Sequence, residues 1–151
     1  MVMKKSNGLD KLFHFIIFFL IIYTLDRYTK YLASFVDGCF VFCMKRSVNY
    51  GAAFNLFQDF EWTRVLLIVI ALFVLVLTLF FYFKTKKFTT VSLGLILLFS
   101  GTLCNMFDRI FYGYVIDWLS FSFMPMPALN IADLSNVAGV IILIVALLKK
   151  K

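Results

Sequence analysis

A chain of 151 residues that is 63% hydrophobic, with a mean hydropathy of +0.96, is excluded from the soluble globular class, whose members average roughly 45–50% apolar residues. Its net charge of +7 suggests nucleic acid only until the placement is read, because nine of the fifteen basic residues form three clusters: Lys4, Lys5 and Lys11; Lys84, Lys86 and Lys87; Lys149, Lys150 and Lys151. Each cluster flanks an apolar run, which is the positive-inside pattern of a multi-pass membrane protein and argues against a nucleic-acid partner.

By length the chain is one domain, 1–151. Residues 1–11 are basic and polar and read as a short cytoplasmic tail. The apolar run that follows predicts a first membrane helix over about 12–33. It is long, and no small-residue cleavage site follows it, so it is expected to be retained and not removed as a secretory signal. His14, the one histidine, lies in this run with no Cys or His nearby and reads as structural. Asp26 and Lys30 are four apart near the end of the run, so they share a helix face and can pair.

Residues 36–62 are mixed in character. The run CFVFCM at 39–44 is β-prone, Lys45, Arg46 and Ser47 are expected to turn, and 47–50 to return as a strand. Asn49-Tyr50-Gly51-Ala52-Ala53-Phe54 follows, with small residues that permit close backbone approach. The expected unit is a small β hairpin or curled sheet on the outer face of the membrane. On one extended strand, Cys39 and Cys43 would hold their α-carbons roughly 13 Å apart, too far for a disulfide. Free thiols are therefore expected, and with Cys104 the odd total of three gives no complete disulfide framework.

Residues 64–83 carry no charge after Arg64 and predict a second span, long enough to cross roughly 30 Å of hydrocarbon. A short basic loop at 84–87 precedes a third span at about 91–109, and a fourth covers 131–148. Between the last two, residues 111–129 are aromatic and hold both prolines, Pro125 and Pro127, which exclude a regular helix. Phe121, Phe123, Met124 and Met126 suit the membrane interface. Three basic ends place both termini and the 84–87 loop in the cytoplasm.

That orientation gathers the polar residues at the outer end: Asp26 and Lys30, Asn49 and Gly51, Asn105, Asp108 and Arg109, Asp117, Asn130 and Asp133. Embedded acids mark function by default. Asn105, Asp108 and Arg109 stand at i, i+3 and i+4 on one face, where Asp108 and Arg109 are expected to satisfy one another or their neighbours. Asp117 and Asp133 differ, having no basic residue within four positions. Two carboxylates brought close at low dielectric cannot both ionise, so one keeps a proton. Such a pair can activate water for peptide hydrolysis. Asn130, one turn ahead of Asp133, can cap the fourth helix. With no Ser–Lys, Cys–His or His/Cys cluster in view, neither a metal nor a cofactor is expected. A small proton-coupled transporter and a purely structural bundle are the alternatives. Transporter sites usually lie near the bilayer midplane, whereas these acids gather at one face.

The same residues resemble the lipoprotein signal peptidases (signal peptidase II), a family of aspartic proteases of the bacterial plasma membrane. Asp26 to Lys30 (DRYTK) is similar to the family's D-x-x-T-K box and Asn49 to Phe54 (NYGAAF) to N-x-G-A-A-F/W. Gly101 to Arg109 (GTLCNMFDR) resembles G-x-x-G-N-x-x-D-R, Val115 to Trp118 (VIDW) resembles V-x-D-F, and Asn130 to Asp133 (NIAD) resembles F-N-x-A-D. Cys104, Trp118 and Leu129 depart from the usual Gly, Phe and Phe. The resemblance implies an α-helical membrane protein of four spans, with a small extracytoplasmic β-element between helices one and two and a flap at Phe121 to Ala128. It implies Asp117 and Asp133 as the catalytic pair. Asn49, Gly51, Asn105, Arg109 and Asn130 would shape the site and bind the substrate backbone, and Asp26, Lys30 and Asp108 would support the scaffold. The substrate would be a diacylglyceryl-modified prolipoprotein, cut just before its lipid-bearing cysteine in contact with membrane lipids. The expected location is the bacterial plasma membrane with the site at the outer face; a monomer is expected.

Overall fold

In lipid every backbone N–H and C=O must be satisfied within its own segment, so long apolar runs become helices. The computed structural model, which describes residues 8–39, 42–52, 56–123 and 127–149, has four of them. They are α1 (Gly8–Leu32), α2 (Thr63–Lys84), α3 (Thr90–Phe111) and α4 (Ile131–Leu148). All four are long and apolar enough to cross a membrane. Lys4, Lys5, Ala53, Phe54, Met124, Pro125, Met126, Lys150 and Lys151 lie outside the described residues.

Helix α3 is the centre of the bundle and packs on the other three helices. Its contact with α4 is close because small residues face each other. A Cβ on Gly139 would stand 2.8 Å from the Gly94 carbonyl oxygen and 2.8 Å from the Leu98 backbone nitrogen. Helix α1 runs parallel to α3, and α2 and α4 run antiparallel to both. One end of the bundle therefore joins the C-terminal ends of α1 and α3 to the N-terminal ends of α2 and α4, where Arg64 donates to the Ile110 carbonyl at 2.9 Å.

The opposite end corrects one expectation. Helix α1 begins at Gly8, so Lys11 is not part of a solvated tail but is buried. Its Nζ donates to the Tyr82 carbonyl at 2.9 Å and the Thr85 carbonyl at 2.6 Å, and Tyr82 Oη donates back to the Lys11 carbonyl at 2.7 Å. The last carbonyls of a helix lack intrahelical partners, and a lysine from a neighbour satisfies them and matches the helix dipole. His14 stacks on Phe88 with ring centroids 4.4 Å apart.

At the other end sits an antiparallel sheet of order β1-β2-β3, with β1 at Gly38–Cys39, β2 at Phe42–Asn49 and β3 at Val115–Phe121. Three sequence readings change here. Lys45, Arg46 and Ser47 are not a turn; they lie inside β2, where the pairing shifts between Met44 and Ser47. This is a bulge, which accommodates an extra residue and re-aims the strand beyond it. Residues 115–121, read as an aromatic interfacial connection, form β3 instead. Their β-branched and aromatic content suits a strand once β2 supplies a partner. Cys39 and Cys43 do not share a strand. They are opposed across the β1–β2 hairpin, with α-carbons 4.0 Å apart, and form a disulfide. The estimate of roughly 13 Å assumed a straight strand, and the chain reverses between the two residues. Cys104 is free and buried.

Thiol titration checks this arrangement. Unfolded, unreduced protein should show one reactive thiol, from Cys104, and reduced protein all three.

Candidate active site

The site is built on three buried charges, Asp26, Lys30 and Asp108, and the half-buried Arg27 beside them. Asp26 is 0% exposed and Asp108 1%, and each accepts from Lys30 Nζ, at 2.8 and 2.7 Å. Arg27 forks across the same two carboxylates, reaching Asp26 at 2.7 Å and Asp108 at 2.5 Å. Two anions and two cations thus neutralise one another across the α1–α3 contact. Isolated, any of them would be strongly disfavoured there. The i, i+4 pairing of Asp26 and Lys30 is as the sequence predicted. Asp108 does not pair with Arg109, because its partners come from α1, and Arg27 is the member that local spacing did not single out.

The cluster also positions α4. Asp26 uses its second oxygen to accept the backbone N–H of Ala132 at 3.1 Å. Asn130 caps the helix: its Oδ1 accepts the Asp133 backbone N–H at 2.8 Å, and Asp133 Oδ2 accepts the Asn130 N–H at 3.2 Å. The first N–H groups of a helix have no partners within it. A carboxylate from α1 and a reciprocal capping box satisfy them here, and this fixes where Asp133 stands.

Asp117 arrives from the sheet. Val115 and Asp117 are alternate residues of β3 and both point inward, exposed by only 2% and 4%. Asn130 Nδ2 donates to Asp117 Oδ1 at 2.6 Å, and Asn49 Nδ2 at the end of β2 donates to Asp117 Oδ2 at 2.9 Å. Asn130 therefore holds both aspartates, one through its side chain and the other through its cap. Asn105 adds a third link, since its Nδ2 donates to Asp133 Oδ1 at 2.7 Å while its Oδ1 accepts from Lys30 Nζ and Asn130 Nδ2, each at 3.2 Å. The charge of Lys30 thus reaches Asp133 through one amide and not directly.

Arg109 supports the wall. It donates to the Gly51 carbonyl at 2.9 Å and the Asn105 carbonyl at 3.3 Å. Gly51 N–H in turn donates to Asn49 Oδ1 at 2.9 Å, a turn that aims the Asn49 amide at Asp117. Asn49, Asn105, Arg109, Asp117 and Asp133 border one cavity of about 250 Å³, closed on another side by Pro127, Ala128 and Leu129. Leu129 is tied back to β3 by N–H and C=O bonds to Leu119 of 2.8 and 2.9 Å. Of the proposed flap, residues 124–126 lie outside the described residues. Asn136 also borders the cavity and was not singled out in the sequence, because a lone amide on an apolar helix carries no motif.

Among the described residues no basic side chain forms an ion pair with Asp117 or Asp133. Burial raises the Asp117 pKa above the ordinary aspartate value, and the amide donors of Asn49 and Asn130 oppose that rise by favouring the charged form. Two carboxyls that border one confined cavity can serve general acid–base chemistry when one of them holds a proton.

Replacing Asp108 with alanine would leave Lys30 and Arg27 with one buried anion between them. Breaking a buried pair in this way costs about 3–5 kcal/mol, so Asp108→Ala should lower the thermal midpoint sharply, measured in detergent against Asp117→Asn as a control.

The family model of signal peptidase (SPase) II matches residues 17–149. The lipoprotein signal peptidase of Francisella tularensis subsp. novicida (strain U112) is 38% identical over 157 aligned residues, covering 93% of this chain and 96% of that protein. The lipoprotein signal peptidase of Clostridium novyi (strain NT) is 36% identical over 140, covering 83% and 91%. Among solved structures, a bacterial membrane enzyme determined by the in meso method at 2.3 Å superposes with a TM-score of 0.83 at 25% identity, covering 99% of this chain and 93% of the other. A second, at 1.9 Å, gives 0.80 at 26% identity with full coverage of both. A match over this length leaves one conclusion: the chain belongs to the signal peptidase II family of aspartic membrane peptidases.

Proposed function

We propose that this multi-pass membrane enzyme removes signal peptides from prolipoproteins with Asp117 and Asp133 as its catalytic pair, cleaving just before a diacylglyceryl-modified cysteine. The observation that carries the reading is the shared amide: Asn130 links the buried Asp117 to the half-buried Asp133, neither of them ion-paired to a cation among the described residues, at the edge of one cavity. A pair held this way carries a single proton between its members.

The chemistry then runs as a general acid–base hydrolysis. The ionised carboxylate takes a proton from water as the water oxygen bonds to the scissile carbonyl carbon. The protonated carboxyl donates to the carbonyl oxygen, giving a neutral tetrahedral diol. As the C–N bond breaks, the carboxyl that took the water proton passes it to the leaving amine, while the ionised carboxylate takes a proton from a diol hydroxyl that becomes the new carbonyl, so the pair ends with a single proton. Asn49, Asn105 and Asn130 hold the carboxyls through hydrogen bonds. Arg109, held on the Gly51 carbonyl, lines the wall along which a peptide backbone is bound. Asp26, Lys30 and Asp108, with Arg27, are the scaffold.

Residues 1–151 act as one peptidase domain in this reading. Both termini face the cytoplasm, since basic clusters mark that side, and the site faces outward. A lipid-anchored cysteine places its scissile bond at that interface, level with the aspartates, with the acyl chains between helices. A monomer suffices, since α1, α3, α4 and the sheet of a single chain supply every named group. A proton-coupled transporter finds no support, as the acids sit at one end of the bundle and the family is a peptidase one.

Two outcomes check the mechanism. Asp117→Asn and Asp133→Asn should each reduce cleavage of a lipidated prolipoprotein by at least about a thousandfold while the protein stays folded in the membrane; near-normal turnover in either sinks the dyad. The second concerns pH. Asp117 titrates above the ordinary 3.8 because of burial, and the Asn49 donor restrains that rise. Removing a donor to the charged form raises a carboxyl pKa, so in Asn49→Ala the acid limb of kcat/KM should move to higher pH than in the parent enzyme.

A further inference from the structure

Asn136 is used by neither the scaffold nor the mechanism above. It stands on α4 three residues beyond Asp133 and borders the cavity that holds both aspartates. Its amide is fixed from two sides. Thr102 Oγ1 on α3 donates to Asn136 Oδ1 at 3.2 Å. A Cβ on Gly101 would come within 2.6 Å of that oxygen and 2.8 Å of Cγ, so the amide fills space that only a glycine at 101 leaves open. With the oxygen engaged and the plane set, Nδ2 is left over. It has no hydrogen-bond partner among the described residues, and it is not enclosed by protein. An amide nitrogen carries two N–H donors.

What this donor meets follows from its depth. Helix α4 runs from the site end into the apolar bundle, and a helical turn advances about 5.4 Å. Asn136 therefore lies nearly one turn further into the membrane than Asp133, beside Val137 and ahead of the lipid-facing Val140 and Ile141. On the peptidase reading, on which this inference rests, the scissile bond sits level with the aspartates. Two parts of the substrate reach deeper: the apolar signal segment, whose backbone carbonyls are paired within its own helix, and the lipid on the cysteine. Its strong hydrogen-bond acceptors are the two ester carbonyls of the glyceryl group. We infer that Asn136 is a lipid-recognition residue: its Nδ2 donates to an ester carbonyl of the diacylglyceryl group and so favours ester-linked over ether-linked chains.

The test uses the full chain in detergent and two synthetic lipopeptides that differ only in carrying a diacylglyceryl ester or a dialkylglyceryl ether on the cysteine. One uncharged hydrogen bond corresponds to roughly a fivefold difference in affinity, so the parent enzyme should show about that preference in KM for the ester. Asn136→Leu, close in shape and without the donor, should raise the ester KM to the ether value. It should leave the ether KM unchanged and kcat within about twofold. Thr102→Val, which keeps Asn136 but releases its oxygen, should raise the ester KM part of the way, and it decides the matter if Asn136→Leu does not fold. Equal KM for ester and ether in the parent enzyme overturns the inference. So does an Asn136→Leu effect that is equal for both substrates, which would assign the donor to a peptide carbonyl or to the fold. Absence of cleavage of either substrate overturns the peptidase reading and this inference with it; cleavage without ester preference overturns this inference alone.

Discussion

The arrangement depends on pairing four charges, three of them buried, where lipid would otherwise surround them. Asp26, Arg27, Lys30 and Asp108 cannot be left singly in a low-dielectric bundle, because an unpaired ion there costs several kcal/mol. Paired, they fix α1 against α3 at one end of the molecule. The gain is in position more than in energy, since buried ion pairs often contribute little net stability. Once α1 and α3 are registered by this lattice, Asp26 presents its spare oxygen to the first turn of α4. The placement of Asp133 thus derives from a carboxylate more than one hundred residues earlier in the chain.

A second consequence concerns how the two aspartates are kept chemically distinct. Among the described residues, the cations nearest them are occupied elsewhere. Lys30 and Arg27 face Asp26 and Asp108, and Arg109 is spent on the carbonyls of Gly51 and Asn105. What touches Asp117 and Asp133 are amide nitrogens. A guanidinium bonded directly to either carboxyl would hold it ionised and abolish a shared proton. Amides are weaker donors that fix geometry while leaving the proton free to move between states. The cluster is then more than a support, because it keeps Arg27 and Lys30 off the two aspartates.

Much of this was legible in the chain itself. The four apolar runs, the i, i+4 pairing of Asp26 with Lys30 and the cap at Asn130 follow from periods and local rules that act within a few residues. The errors fall where partners are distant. Strand β3 needs β2, some seventy residues earlier, to be a strand at all. The bulge at Lys45 and Arg46 is visible only once the register with β3 exists. The disulfide required knowing that the chain reverses between Cys39 and Cys43. Asp108 was expected to pair with Arg109 or with neighbours, and Arg27 was not named because it lies on another helix. Lys11 looked like a tail residue because nothing nearby shows that the end of α2 needs donors.

The same reasoning explains why a small sheet accompanies a helical bundle. Helices α3 and α4 alone bring Asn105 and Asp133 together, but they offer no second carboxyl at the right height. A strand can carry one, since alternate residues on β3 face inward, and Val115 and Asp117 both do. A lone strand at a membrane surface would expose its ladder groups, so β2 is required beside it. The bulge in β2 then sets the angle at which Asn49 reaches Asp117. The sheet is therefore the means by which a second carboxyl, that of Asp117, reaches the cavity that Asp133 borders.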